Sequence, residues 1–274
     1  VMKGSRVSNA WKYVLALIII AVHFVPIYMV VAIAFKSPYD HSSRWAFPGY
    51  LYLKNIYTAL ERGGMLLALK NTVIISGMSI LFIVVIGAMA AYPLARNKSR
   101  LNNLVKGFIM GVMMIPPLSI LVPLYSFMAK IQGINSYWGM IVTLITFQLP
   151  TSIFLFSSFI TSIPVALEEA AAIDGCGPFQ TFFRIIMPQL KPVTASVIII
   201  TGVNCWNNYQ FALYLLQSPR IKTITLAIAG FFSADSANVN GAAAAAFIGI
   251  LPMVAVFLFL QKYFIQGMVD SAIK

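Results

Sequence analysis

Residues 162–192 read SIPVALEEAAAIDGCGPFQTFFRIIMPQLKP, a polar island between long apolar runs. The island holds Glu168, Glu169, Asp174, Arg184 and Lys191, with Gly175 and Gly177 in the middle. It is too polar for the hydrocarbon of a bilayer and too short for a domain. A chain that keeps such a segment between two spans shows it to something in water. Its residues predict a helix, a glycine break and a second short helix. Ser162 is placed to cap the first helix, and Pro164 fits its opening turn. Gly175 is placed to end that helix in the left-handed conformation. Phe179–Met187 forms the second amphipathic segment, closed by Pro188. The alanines Ala170, Ala171 and Ala172 let a helix lie deep in a groove, where the neighbouring carboxylates meet basic side chains.

Outward from the island the composition sets the solvent. The chain has 274 residues, 60% hydrophobic and 9% charged, with a mean hydropathy of +0.86. Soluble domains carry about 25% charged residues. The apolar runs are span-length and do not alternate, which selects helices over a barrel. The expected fold is therefore all-α and integral to the membrane. Six spans are predicted, at about 11–35, 71–95, 107–129, 136–161, 193–216 and 241–261, with the loop 162–192 between the fourth and fifth. The net charge of +12 comes from Lys and Arg that flank the spans without forming a basic run, so anionic lipid is the expected partner and nucleic acid is not. Cys176 lies in the island and Cys205 in a span, so neither a disulfide nor a metal site is indicated. The first apolar run is span-length and no small-residue cleavage site follows it. It is expected to be a retained helix and not a signal peptide.

An even number of spans puts both termini, the second loop and the island on one side. That side carries 11 Lys and Arg residues, Lys3, Arg6, Lys12, Arg96, Lys98, Arg100 and Lys106 among them, against 8 opposite. The short basic segments are the decisive ones, and they place the island and both termini in the cytoplasm. The stretch 223–240 reads either as an interfacial helix on the outer side or as an extension of the last span.

No Asp, Glu, Lys or Arg lies in the interior of any span, which argues against an ion-coupled carrier and suits a neutral polar solute. His23 is the one titratable candidate inside a span, and a packing or interfacial role outweighs a sensing one. No nucleophile–base pair marks an enzyme. None of the Lys–Ser or Lys–Thr pairs follows a glycine, so there is no phosphate loop, and any nucleotide energy must come from another chain. The densest polar cluster in a span is Asn204, Trp206, Asn207, Asn208, Tyr209 and Gln210. The amides either bond a solute's hydroxyls, with the aromatics stacking on its ring, or glue helices together.

Glu169-Ala170-Ala171, Gly175, Ile185 and Met187-Pro188 stand at the spacing of the EAA motif and resemble the permeases of ABC importers, with Met187 where that family usually has Leu. The resemblance extends to the carbohydrate, maltose-permease-like subtype through Asn71-Thr72, the run 90–96 (AAYPLAR), Ile163-Pro164, Ile173-Asp174-Gly175, Trp206-Asn207, the run 261–264 (QKYF) and Gly267. Asn208, where the group often has an acid, and the tail 268–274 depart from it. The resemblance implies a type I ABC importer permease whose island is a cytoplasmic coupling loop seated on an ATPase. Glu168, Glu169, Ala170, Ala171, Asp174, Gly175 and Pro188 would be the coupling residues. Asn204, Trp206, Asn207, Asn208 and Tyr209 would line part of the solute path. It further implies a second homologous permease, a cytoplasmic ATPase dimer holding ATP and Mg, and an extracytoplasmic solute-binding protein, all in a bacterial or archaeal cytoplasmic membrane. A permease for another solute, such as a polyamine or a peptide, is the first alternative. A stand-alone channel or ion-coupled carrier is the second.

Overall fold

The computed structural model describes residues 5–61, 63–232 and 238–272, with side chains placed over 11–61, 63–232 and 238–262. In chain order the helices are α1 (Ser5–Ala34), α2 (Lys54–Glu61), α3 (Met65–Arg96), α4 (Arg100–Val112), α5 (Leu121–Lys130), α6 (Tyr137–Ser162) and α7 (Ala166–Ile173). They continue with α8 (Pro178–Gln189), α9 (Lys191–Trp206), α10 (Gln210–Leu215), α11 (Ile224–Gly230) and α12 (Val239–Ala272). Among the described residues, Trp11–Ala34, α3, α6 and Val239–Lys262 are each long and apolar enough to cross a membrane. Two bent pairs reach that length and apolarity only together. One is Arg100–Val112 with Pro117–Lys130, bent by 91°, and the other is α8 with α9, bent by 74°.

Two expected spans are therefore not single straight helices. The stretch predicted at 107–129 begins earlier, at Arg100, where the Ser99 hydroxyl accepts from the Asn102 amide at 3.2 Å. It then breaks before Pro116-Pro117. Neither proline has an N–H to donate, and Pro116 is extended at ψ 127. The stretch predicted at 193–216 stops at Trp206 and resumes at Gln210. Asn208 makes the restart, because its side-chain oxygen accepts the Phe211 amide at 3.2 Å. An Asn side chain that bonds nearby backbone in this way competes with helix continuation. In the stretch left open at 223–240, α11 is a separate short helix, and residues 233–237 lie outside the described residues.

The chain divides into two compact units. The first is the chain up to Leu66 with Ala227–Leu251. In it the end of α1 is stitched by two amides. Asn55 donates to the carbonyls of Ala34 (2.9 Å) and Lys36 (2.8 Å), and Asn240 donates to those of Ile33 (3.2 Å) and Lys36 (2.8 Å). Lys36 is only 4% exposed, and its ammonium donates to the carbonyls of Ser43 and Ala46. Asp40 stays at the surface of this unit. It accepts from the Ser42 amide at 2.9 Å and the Tyr50 hydroxyl at 2.5 Å.

The second unit is Leu67–Leu226 with the chain from Pro252 on. Its core is built on Ile75, Ile83, Met140, Leu144, Phe156 and Ile186, all at most 1% exposed. α3 meets α6 where Gly87 faces Ser152. A β-carbon added at Gly87 would fall 2.1 Å from the Ser152 hydroxyl oxygen, and that hydroxyl donates to the Ile83 carbonyl at 3.0 Å. At the other end of α3, buried Asn71 donates to the carbonyls of Arg220 (3.1 Å) and Lys222 (2.9 Å) and accepts from the Tyr137 hydroxyl (2.6 Å). The Ile224 amide donates to the Thr72 hydroxyl at 2.8 Å. The resembling pair Asn71-Thr72 is thus a clasp on the segment that enters α11.

Two outcomes follow. Gly87→Ala overpacks the α3–α6 crossing and lowers stability by about 1–3 kcal/mol, read by thermal unfolding of the solubilised protein. Hydrogen bonds from Ser42 and Tyr50 hold the Asp40 carboxyl down, from the usual 3.8 to about 2. Because the folded-state value is depressed, the loop's ordering is fully present above pH 4 and is lost as pH falls through about 2. Pepsin cleavage within 37–53 should rise over that interval in the native chain, whereas Asp40→Asn should be cut readily at pH 4 already.

Candidate functional site: the polar island

The island is built by local rules. α6 ends at Ser162, whose hydroxyl donates back to the Phe159 carbonyl at 2.8 Å. The N-cap position of the next helix is held by Val165 and not by Ser162 as expected. Ile163 is extended at ψ 128, as the residue before a proline prefers. The carbonyls of Pro164 and Val165 then receive the first amides of α7, from Leu167, Glu168 and Glu169. α7 closes in a Schellman motif. The Cys176 amide donates to the Ala171 carbonyl at 2.9 Å, and the Gly175 amide donates to that of Ala172 at 3.1 Å. Gly175 sits at φ +81, which glycine alone adopts without strain.

α8 opens with Pro178 in its first turn and contains one π-helical turn, Phe182–Ile186, where the Met187 amide reaches back to the Phe182 carbonyl. Pro188 was expected to close this segment, but it lies inside it. Lacking an N–H, it makes no bond to the carbonyl of Arg184, and the widened turn before it absorbs the misfit. The helix stops one residue past Gln189, at Leu190, and α9 starts at Lys191.

The island has two faces. The inner one buries Ile163, Ala171, Phe182, Ile186 and Leu190. Glu168 belongs to it. Its carboxylate accepts from the Arg96 guanidinium at 2.6 Å and the Tyr92 hydroxyl at 2.8 Å, and Arg96 also donates to the Ile163 carbonyl at 3.0 Å. Arg96 and Glu168 are 16% and 15% exposed. Glu168 is thus engaged by its own chain and is not open to a partner, unlike the expectation that grouped it with the coupling residues. The outer face carries Glu169, Ala170, Asp174 and Gly175, all exposed, with Ile173 (87%) and Phe179 (73%) standing out beside them. Among the described residues Glu169 and Asp174 take part in no ion pair.

The second cluster is split in the same way. Asn204 is exposed and donates to the Gln148 side chain at 3.2 Å. Asn207 and Tyr209 are also exposed. Trp206 is 7% exposed and packed in the core of the second unit, so its ring is not offered for stacking. Asn208 serves the backbone. It receives the Phe211 amide on its side chain, and its carbonyl accepts from the Thr225 hydroxyl at 3.1 Å. His23 lies 2.7 Å from the Ile19 carbonyl on its own helix. Among the described residues no three His, Cys, Asp or Glu side chains gather as metal ligands.

With this geometry in hand, the chain was compared with known proteins. Residues 83–270 match the family described as binding-protein-dependent transport system inner membrane component. The chain belongs to that family. This permease is 42% identical over 261 residues to the melibiose/raffinose/stachyose import permease protein of Bacillus subtilis, covering 95% of each chain. It is 31% identical to the multiple sugar-binding transport system permease protein of Streptococcus mutans, covering 99% of each. Its fold matches a solved bacterial ABC transporter involved in import of the acidic polysaccharide alginate, with a TM-score of 0.81 at 18% identity over 96% of this chain and 99% of that one. The relatives are transport components and not enzymes, and the fold is that of an ABC importer permease, a multi-pass membrane protein.

Sequence reasoning placed Gly175 and the outer acids but missed Tyr92, Arg96 and Gln148 as partners. One signal was present for Arg96. It ends a 32-residue apolar helix, and a lone cation there needs an acid. Removing either end of the Arg96–Glu168 pair leaves a half-buried charge bonded to less. Arg96→Gln and Glu168→Gln should each cost about 2–3 kcal/mol, and Tyr92→Phe about 1 kcal/mol. The double variant should cost at least about 1 kcal/mol less than the sum of the singles, read by thermal unfolding in a double-mutant cycle.

Proposed function

We propose that this permease is the membrane-spanning subunit of an ATP-driven sugar importer fed by an extracytoplasmic solute-binding protein, and that the outer face of the island seats on the ATPase. One observation carries the reading. Glu169, Asp174, Ile173 and Phe179 form an acid-flanked apolar knob with no ion pair among the described residues, on a loop whose inner face is fixed to its own chain. A knob of that kind fits a cleft with an apolar floor and basic walls. The chain has no phosphate loop, so ATP and Mg belong to the ATPase dimer. A second, homologous permease completes the path. The basic arms favour a cytoplasmic side for the island and both termini, in a bacterial or archaeal cell. ATP closes the ATPase dimer, the knob moves with it, and the bundle opens outward to accept the solute.

The permease named for melibiose, raffinose and stachyose points to oligosaccharides of that class as cargo. Exposed Asn204 and Asn207, with half-buried Gln148, supply donors and acceptors for hydroxyls, and Tyr209 supplies a ring. Trp206 is left out of this path because it is buried.

Glu169 is exposed, so Glu169→Lys should change stability by no more than about 0.5 kcal/mol. In the assembled complex it should nevertheless lower uptake of labelled raffinose and binding-protein-stimulated ATP hydrolysis at least about tenfold. Normal values of both would rule out the seating. Uptake of a polyamine in place of raffinose by the native complex would rule out the sugar.

A further inference from the structure

α4 and α6 leave a groove of about 280 Å³ between them near the island end of the second unit. Its polar end is made by Lys106, Ser157, Ser158 and Thr161. Lys106 is half-buried and has no ion pair among the described residues. Ser157 is 4% exposed, and its hydroxyl has no hydrogen-bond partner, although its carbonyl accepts from the Thr161 hydroxyl at 2.8 Å. A buried hydroxyl without a partner is disfavoured by about 1–3 kcal/mol and wants an acceptor. Met110 and Phe154 line the other end. Phe154 stands two turns from Thr161 along α6, about 10 Å further from the island.

The groove is therefore graded. A cation and hydroxyl donors sit at the level where the helices leave the apolar layer, and aliphatic and aromatic walls rise from there inward. A sugar would need polar partners along its whole length, and a packed partner helix would leave the lysine unpaired. An anionic amphiphile satisfies both ends. We propose that this groove holds one anionic phospholipid, its phosphodiester on Lys106 and Ser157 and an acyl chain along Met110 and Phe154. Exposed Lys98 and Arg100, at the start of α4, add an attractive field for the same headgroup. The lipid would brace α4 against α6 below the break at Pro116-Pro117.

The test is native mass spectrometry of the purified importer complex from nanodiscs that mix phosphatidylglycerol with phosphatidylcholine. The native complex should keep one phosphatidylglycerol per copy of this chain after the bulk lipid is stripped. Lys106→Ala should lower its retention about fivefold, as expected for one lysine near a headgroup. Lys106→Arg should preserve retention, and Lys130→Ala, at the exposed end of α5 and outside the groove, should change it by less than about twofold. Four results would overturn the site: no lipid kept by the native complex, equal retention of phosphatidylcholine, retention unchanged in Lys106→Ala, or displacement of the lipid by raffinose, which would make the groove part of the solute path.

Discussion

Where an apolar chain stops a helix away from water, up to about four N–H and four C=O groups at each end must find new partners. In this permease, asparagine supplies many of them. Asn55 and Asn240 take the last carbonyls of α1 and that of Lys36. Asn71 holds two carbonyls of the segment before α11, and Asn208 takes the Phe211 amide where the helix restarts. A side-chain amide is suited to this work because it donates and accepts without carrying charge. A lysine can do it only when carbonyls surround it, as Lys36 shows with Ser43 and Ala46. The near absence of charge from the spans and the abundance of Asn at their ends are thus one fact seen twice.

The ion pair of Arg96 and Glu168 stands apart from this pattern and must be judged on its geometry. Two partly buried charges lose hydration, and a bare pair often fails to recover it. Here the carboxylate also receives the Tyr92 hydroxyl, and the guanidinium also reaches the Ile163 carbonyl. With both charges satisfied more than once, the attraction wins. The joint then does more than hold a loop. It ties the end of a 32-residue helix to the first turn of α7, so on the proposed reading displacement of the island would be carried into α3. The Asp40–Tyr50 bond is as short, but it lies in water, where it orders one loop and little else.

The island was legible in the sequence because its rules are local. Gly175 acts within a turn of itself and ends α7 as its chemistry dictates, whereas Pro164 stands just before the N-cap Val165 and not in the opening turn. Pro188 misled because a π turn can absorb a proline, and nothing in the neighbouring residues signals that. The roles of Glu168 and Glu169 were not separable in sequence. They are adjacent and identical, and only the partner 72 residues earlier turns one inward. Trp206 and Asn204 show the same limit within one helix. Two residues apart, they point to core and surface respectively, which is fixed by α6 and not by their own neighbours.

Two breaks, at Pro116-Pro117 and at Asn207–Tyr209, take backbone out of helical pairing inside the stretches expected to span the apolar layer at 107–129 and 193–216. Irregular backbone at such depth is tolerated only against other protein or beside water. α3 and α6 run unbroken, and apart from the carbonyls opposite Pro93 and Pro150 their internal backbone pairs within the helix. Exposed Asn207 and Tyr209 belong to the second break, and the Asn204–Gln148 pair lies within one turn of it. Protein takes up the backbone of that break, because the Asn207 amide reaches the Val203 carbonyl and the Asn208 carbonyl accepts from the Thr225 hydroxyl. The exposed amides beside it are thereby left free to serve the proposed solute path.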